Sequence, residues 1–238
     1  EELEQAVLEG GFFGYKVFLN WHGDDYGDVT VEDQIGPVEM EVADAHGLVV
    51  LLHVPRSGRL ADPVIQQGVR DCAQQYPNAC LVLAHCGRCY HPDEMRAAVG
   101  AVRDLENVCL DTSMVMEPAV LQILMNEIDS RRLLFATDFP VAMMRGRRMY
   151  ALDHWVDLVT EGYAPSAYRV AGDNFRATFM AYEIVLAILR AAELTGLAEE
   201  ETARIFHDNG MDLLSRVRQG RTLKNARARW PKTEAGGG

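Results

Sequence analysis

Leu48-Val49-Val50-Leu51-Leu52-His53 and Leu81-Val82-Leu83-Ala84-His85 decide how this chain folds. Each is a short, nearly unbroken apolar run, which is how a parallel strand buried on both faces reads, and each ends in a histidine. Three further runs share the pattern: Gly14-Tyr15-Lys16-Val17-Phe18-Leu19, Val108-Cys109-Leu110-Asp111-Thr112 and Leu133-Leu134-Phe135-Ala136-Thr137-Asp138. His53 and His85 are 32 positions apart, His85 and Thr112 are 27, and Thr112 and Asp138 are 26. A period of about 30 residues is one βα unit.

The segments between the runs carry helix punctuation. Asp62-Pro63 opens one that closes near Tyr76-Pro77-Asn78, His91-Pro92-Asp93-Glu94 opens a second that closes before Glu106-Asn107, and Glu117-Pro118 opens a third ending at Asp129-Ser130. Proline in the first turn, with acidic neighbours, starts a helix. The expected fold class is therefore α/β, of the (β/α)8 TIM-barrel type, in which side chains at the carboxyl ends of the strands carry function. Residues 1–218 form the barrel part, and residues 219–238 read as a basic, flexible tail. Helices are expected over Met149–Thr160, Thr178–Leu194 and Ala198–Val217. The stretch Met180–Leu189 is apolar nearly all round, so it should be buried against the barrel or in a subunit interface.

From Gly14 to Leu214 the chain resembles the metal-dependent amidohydrolases, in the branch that contains aromatic-acid decarboxylases and lactone hydrolases. The resemblance is carried by Leu52-His53-Val54-Pro55, Leu83-Ala84-His85-Cys86-Gly87, Asp111-Thr112-Ser113, Ala136-Thr137-Asp138-Phe139-Pro140 and the segment Ile205 to Leu214. It implies that His53, ending the family's strand five, and Asp138, ending its strand eight, bind a divalent metal, most naturally zinc. It also implies that Asp138 accepts a proton from metal-bound water and that His85 polarises substrate or relays a proton. Imidazole and carboxylate suit a zinc-type centre that keeps an open position for water. Lys16 lies where binuclear relatives carry a carbamylated lysine, although a lysine snorkelling from a strand is the plainer reading.

One departure is expected to matter. Members begin with a His-x-His pair on strand one, and nothing before Lys16 supplies it; Glu1 to Gly10 read as the end of an amphipathic helix. Only strands four to eight are recognisable, and five strands cannot close a barrel of eight. The chain thus reads as the C-terminal part of a longer barrel, with a degenerate, non-catalytic barrel as the alternative.

Arginines ring the expected mouth. Arg56 and Arg88, nearest the histidines, are the candidates for holding a substrate carboxylate. Arg145 also follows Asp138, while Arg147 and Arg148 read more plainly as a solvated charge run or a salt-bridged loop. Trp21 and His22 are candidates for the pocket wall. The substrate expected is a small carboxylated amide or lactone to be hydrolysed, with decarboxylation of an aromatic or unsaturated acid as the close variant. A net charge of −12 disfavours nucleic acid as a partner. No apolar run is long enough for a membrane span. The expectation is a cytoplasmic enzyme that forms a homo-oligomer. Five cysteines make no disulfide framework, and Cys86-Gly87-Arg88-Cys89 reads as a tight loop rather than a redox or zinc motif.

Overall fold

The structure, a computed structural model, describes residues 2–20, 23, 25–151, 154–160, 167–169 and 177–229. Helix α1 (Glu2–Gly10) leads into β1 (Gly14–Val17); α2 (Val31–Gln34), α3 (Pro37–His46) and β2 (Val49–Leu52) follow. Then come α4 (Pro63–Gln75), β3 (Cys80–Leu83), a single turn α5 (His85–Arg88), α6 (Pro92–Val102), β4 (Val108–Asp111), α7 (Pro118–Glu127) and β5 (Leu133–Leu134). The punctuation acts as the sequence suggests. Asp62 accepts from the Val64 amide at the start of α4, His91 and Glu94 close a capping box on α6, and Glu117 accepts from the Ala119 amide on α7.

The five strands make one parallel sheet in the order β1-β2-β3-β4-β5, which is a partial (β/α)8 barrel corresponding to strands four to eight. Register fixes its two faces. Val50, Leu81 and Val108 align, as do Leu52, Leu83 and Leu110, and all six are 0% exposed beneath the helices. The opposite face aligns Lys16, Leu51, Val82 and Cys109. There Val82, Cys109 and Leu134 pack against Leu213, which belongs to the last helix.

Beyond β5 the chain departs from expectation. Met149–Thr160 is not helical: β6 (Gly146–Ala151) and β7 (His154–Val159) pair antiparallel, and β8 (Ala167–Arg169) adds in parallel. Trp155-Val156-Asp157-Leu158-Val159 buries Asp157 and Val159 with a period of two, and its β-branched valines suit a strand. Helix α8 (Met180–Thr195) buries Ile184, Ala187, Ile188 and Ala191 but leaves Tyr182, Leu186 and Leu189 exposed, so its apolar surface is covered on one side. The expected single helix over Ala198–Val217 is two, α9 (Glu199–Phe206) and α10 (Asp208–Arg229), broken at His207 (φ −143°, ψ −62°). The latter runs through residue 219, where a flexible tail was expected. Among the described residues no helix is long and apolar enough to cross a membrane.

Candidate active site

His53 follows β2 directly, and its amide continues the ladder by donating to the Val17 carbonyl. His85 follows β3 by one residue. The two rings meet edge to face, with centroids 4.7 Å apart. His85 is held firmly. Its amide donates to Asp111 Oδ1 at 2.9 Å, and its Nδ1 lies 2.7 Å from Ser113 Oγ and 3.1 Å from the Ser113 carbonyl. Ser113 Oγ also makes a very short bond to Asp111 Oδ1. A carboxylate only accepts, so the serine proton belongs to that bond, and His85 must donate through Nδ1. Its Nε2 is left with a free lone pair.

Local backbone makes this arrangement possible. His85, Cys86, Gly87 and Arg88 all have left-handed φ, between 50° and 67°. The fold requires glycine at 87, because a Cβ there would meet Leu60 Cβ at 2.6 Å. Asp138 also takes the left-handed conformation (φ 64°) after β5, in a segment tied down where the Ala136 amide donates to Thr112 Oγ1. Cys86 and Cys89 are buried free thiols, and burial pushes the Cys89 thiol up to about 12.

Electrostatics separate the two imidazoles. Burial, reinforced by His85, Arg88, Lys16 and Arg148, pushes His53 down to about 2, so it is neutral at any physiological pH. Burial lowers His85 as well, but Asp111, Asp138 and the Ser113 carbonyl oppose the shift. Of the pair, His85 is the one equipped to take up a proton. Lys16 stands on the inner face of β1 within charge reach of both rings, with Nζ 5.8 Å from the Phe18 centroid.

The arginines are differently engaged. Arg56 pairs with Asp62 at 2.8 Å. Arg88 is buried and spends Nη1 on the carbonyls of Val54 and Arg56, with the Tyr26 ring 5.5 Å away. Arg145 packs on Phe179, and Arg147 donates to the Met116 carbonyl and faces Glu183. Arg148 departs from a solvated run and matches the ion-paired alternative. It is half-buried beside the site, bonded through Nε and Nη2 to Asp157 at 2.8 Å each, and packs into the corner made by the adjoining rings of Tyr90 (4.6 Å) and Trp155 (4.1 Å). Tyr90 in turn lies 6.5 Å from His85. Burial opposes the charge of Arg148, but Asp157, with Tyr90 and Asp138, outweighs it and raises the guanidinium above its ordinary value.

Sequence reading missed Ser113, Tyr90, Trp155 and Asp157. Ser113 stood within the quoted Asp111-Thr112-Ser113 motif; the other three carried no ligand-type signal. Trp21 and His22 lie outside the described residues. A cavity of about 910 Å³ opens at the other end of the sheet, where β4 and β5 begin, lined by Cys109, Arg132, Asn209 and Arg216 among others; it takes no part in this constellation.

His53 suits a metal in its chemistry, being a neutral imidazole whose ring makes no hydrogen bond among the described residues. The donor count falls short. Among the described residues no group of three His, Cys, Asp or Glu side chains is placed to hold an ion, whereas a catalytic zinc takes three protein ligands.

Comparison with known proteins bears on the whole chain. No curated protein matches it. Among solved structures it is similar to 4-oxalomesaconate hydratase from Rhodopseudomonas palustris (18% identity, TM-score 0.56, 96% of this chain and 64% of that one). It is also similar to an amidohydrolase from Burkholderia multivorans (14%, TM-score 0.58, 90% and 69%). A third similar structure is 5-carboxyvanillate decarboxylase from Sphingomonas paucimobilis (15%, TM-score 0.50, 90% and 62%). At these identities the likeness is one of fold, and the chain spans about two thirds of the length of these structures or a little less. The amidohydrolase profile, in contrast, matches residues 1–216, and the chain belongs to the amidohydrolase family.

Proposed function

We propose that this chain carries the proton-transferring part of a metal-dependent hydrolase acting on a small carboxylated amide or lactone in the cytoplasm. The reading rests on one observation: His53 and His85 meet at adjacent strand ends, with Asp138 within charge reach of His85. A divalent ion, zinc first, would take His53 and Asp138 as ligands, together with donors outside the described residues. Bound there, it would supply an activated water or a polarised carbonyl.

The chain's own residues do the rest. Ser113 and Asp111 fix the His85 ring with Nε2 unprotonated and facing the site, ready to accept a proton and return it to the leaving group. Asp138 holds negative charge beside it and favours the imidazolium that results. Arg56, Arg88 and Arg148 supply the positive field that draws in a carboxylate; Trp21 and His22 would complete the wall. Decarboxylation of an aromatic or unsaturated acid would use the same field. The lack of a third ligand among the described residues favours a second reading, a binding barrel without catalysis.

The test is direct. Protein dialysed against zinc or manganese is assayed by elemental analysis, then against carboxylated lactones, amides and hydroxybenzoates, following acid release and CO₂ separately. We expect bound metal that falls in His53→Ala and Asp138→Ala, with turnover of a lactone or amide. Absence of both metal and turnover overturns the hydrolase in favour of the binding barrel.

A further inference from the structure

The three arginines near the site differ in what they have left to offer. Arg56 lies against Asp62, and Arg88 is committed to two backbone carbonyls. Arg148 places Nε and Nη2 on Asp157, while its Nη1 has no partner among the described residues. Its side chain is 11% exposed and that of Asp157 4%, so the pair is sunk in the fold with Arg148 its more exposed member. The planar group is restrained: the adjoining rings of Tyr90 and Trp155 back it, and Asp157 grips one edge. A line of contacts runs from His53 through His85 and Tyr90 to Arg148. A cation fixed in place, with a free donor, thus stands beside the acid–base pair.

We propose that Arg148 is the direct carboxylate-binding residue of the site, with Asp157, Tyr90 and Trp155 as its positioning residues. The assignment rests on the functional reading above for the identity of the site, and it goes further by naming the anchor. Asp157 neutralises much of the charge on Arg148, and Asp138 lies within reach of it. Attraction therefore comes from Arg148 together with Lys16 and Arg88, the other cations acting on His53. A carboxylate end would meet Nη1, leaving the rest of the substrate directed along Tyr90 towards His85.

The test uses binding alone, so that it stands or falls separately from catalysis. Benzoate and its neutral analogue benzamide are titrated calorimetrically into the whole chain, with chelator present so that no ion holds the carboxylate. We expect the wild type to prefer benzoate. Arg148→Lys should weaken benzoate about tenfold with benzamide unchanged, the loss of one charge-assisted hydrogen bond. Asp157→Asn, which breaks the two-point hold on Nε and Nη2, should weaken benzoate with benzamide unchanged. Equal affinity for both compounds in the wild type, or benzoate affinity unmoved by both substitutions, overturns the assignment. Should Arg148→Lys lose the fold by circular dichroism, the wild-type preference and Asp157→Asn decide alone. Benzoate selectivity without metal or turnover would reject the hydrolase and keep the anchor. Turnover of a carboxylated substrate unaffected by Arg148→Lys would do the reverse.

Discussion

At the residue scale, the two histidines that meet at the strand ends stand in different electrostatic surroundings. His53 is kept neutral by burial and surrounding cations, down to about 2, whereas an unfolded chain would protonate it near 6.5. Stability from this depressed histidine is complete above about pH 6.5 and is lost as pH falls below it, because the unfolded state gains a proton that the native state refuses. Chelator-treated protein should lose about 1 to 2 kcal/mol between pH 7 and pH 5 from this group, after discounting its partial exposure. His53→Gln should flatten that part of the curve. Urea unfolding across the range checks it, and an unchanged slope in the variant would refute the prediction. Sequence alone singled out His53, His85 and Asp138 as candidates, because ligand-type residues at the ends of apolar runs are conspicuous. It could not single out Arg148. A charged pair of arginines reads as solvated or salt-bridged within its loop unless its partner is known, and Asp157 becomes a partner only through strand register.

Element-scale structure was legible where punctuation is strong. Pro63, Pro92 and Pro118 sit at helix starts that the sequence already marked, and β1 to β4 fall on their apolar runs. It failed at Met149–Thr160, where β6 and β7 form. Apolar residues spaced as on a helix also fit a hairpin whose alternation is broken by a turn, and only pairing of Arg148 with Asp157 and of Tyr150 with Trp155 separates the two. The single turn α5 is the tightest local device. Gly87→Ala forces a Cβ against Leu60 in a left-handed backbone, so a loss of about 2 kcal/mol or more is expected. His85 should loosen with it. Denaturant midpoints and the chemical shifts of the His85 ring would show both; wild-type values in this variant would mean that Leu60 yields freely.

On the scale of the whole molecule, the parallel sheet ends at β1 and β5, which pair with no further strand among the described residues, and Phe12, Phe13 and Phe18 are exposed beside the first. Such edges invite pairing with another chain. The 238-residue chain should therefore self-associate or prove poorly stable, and bind zinc weakly in either state. Sedimentation velocity with elemental analysis tests this; a monodisperse monomer holding one zinc per chain contradicts it. The hairpin described above gives the molecule another property. Acid–base residues stand on the parallel sheet, but Arg148, Trp155 and Asp157 all belong to β6 and β7, a separate piece of covalent chain. On the functional reading proposed above, recognition and chemistry therefore lie on different segments. Lineages could exchange the hairpin and redirect the protein to new compounds while His53, His85 and Asp111 kept their places.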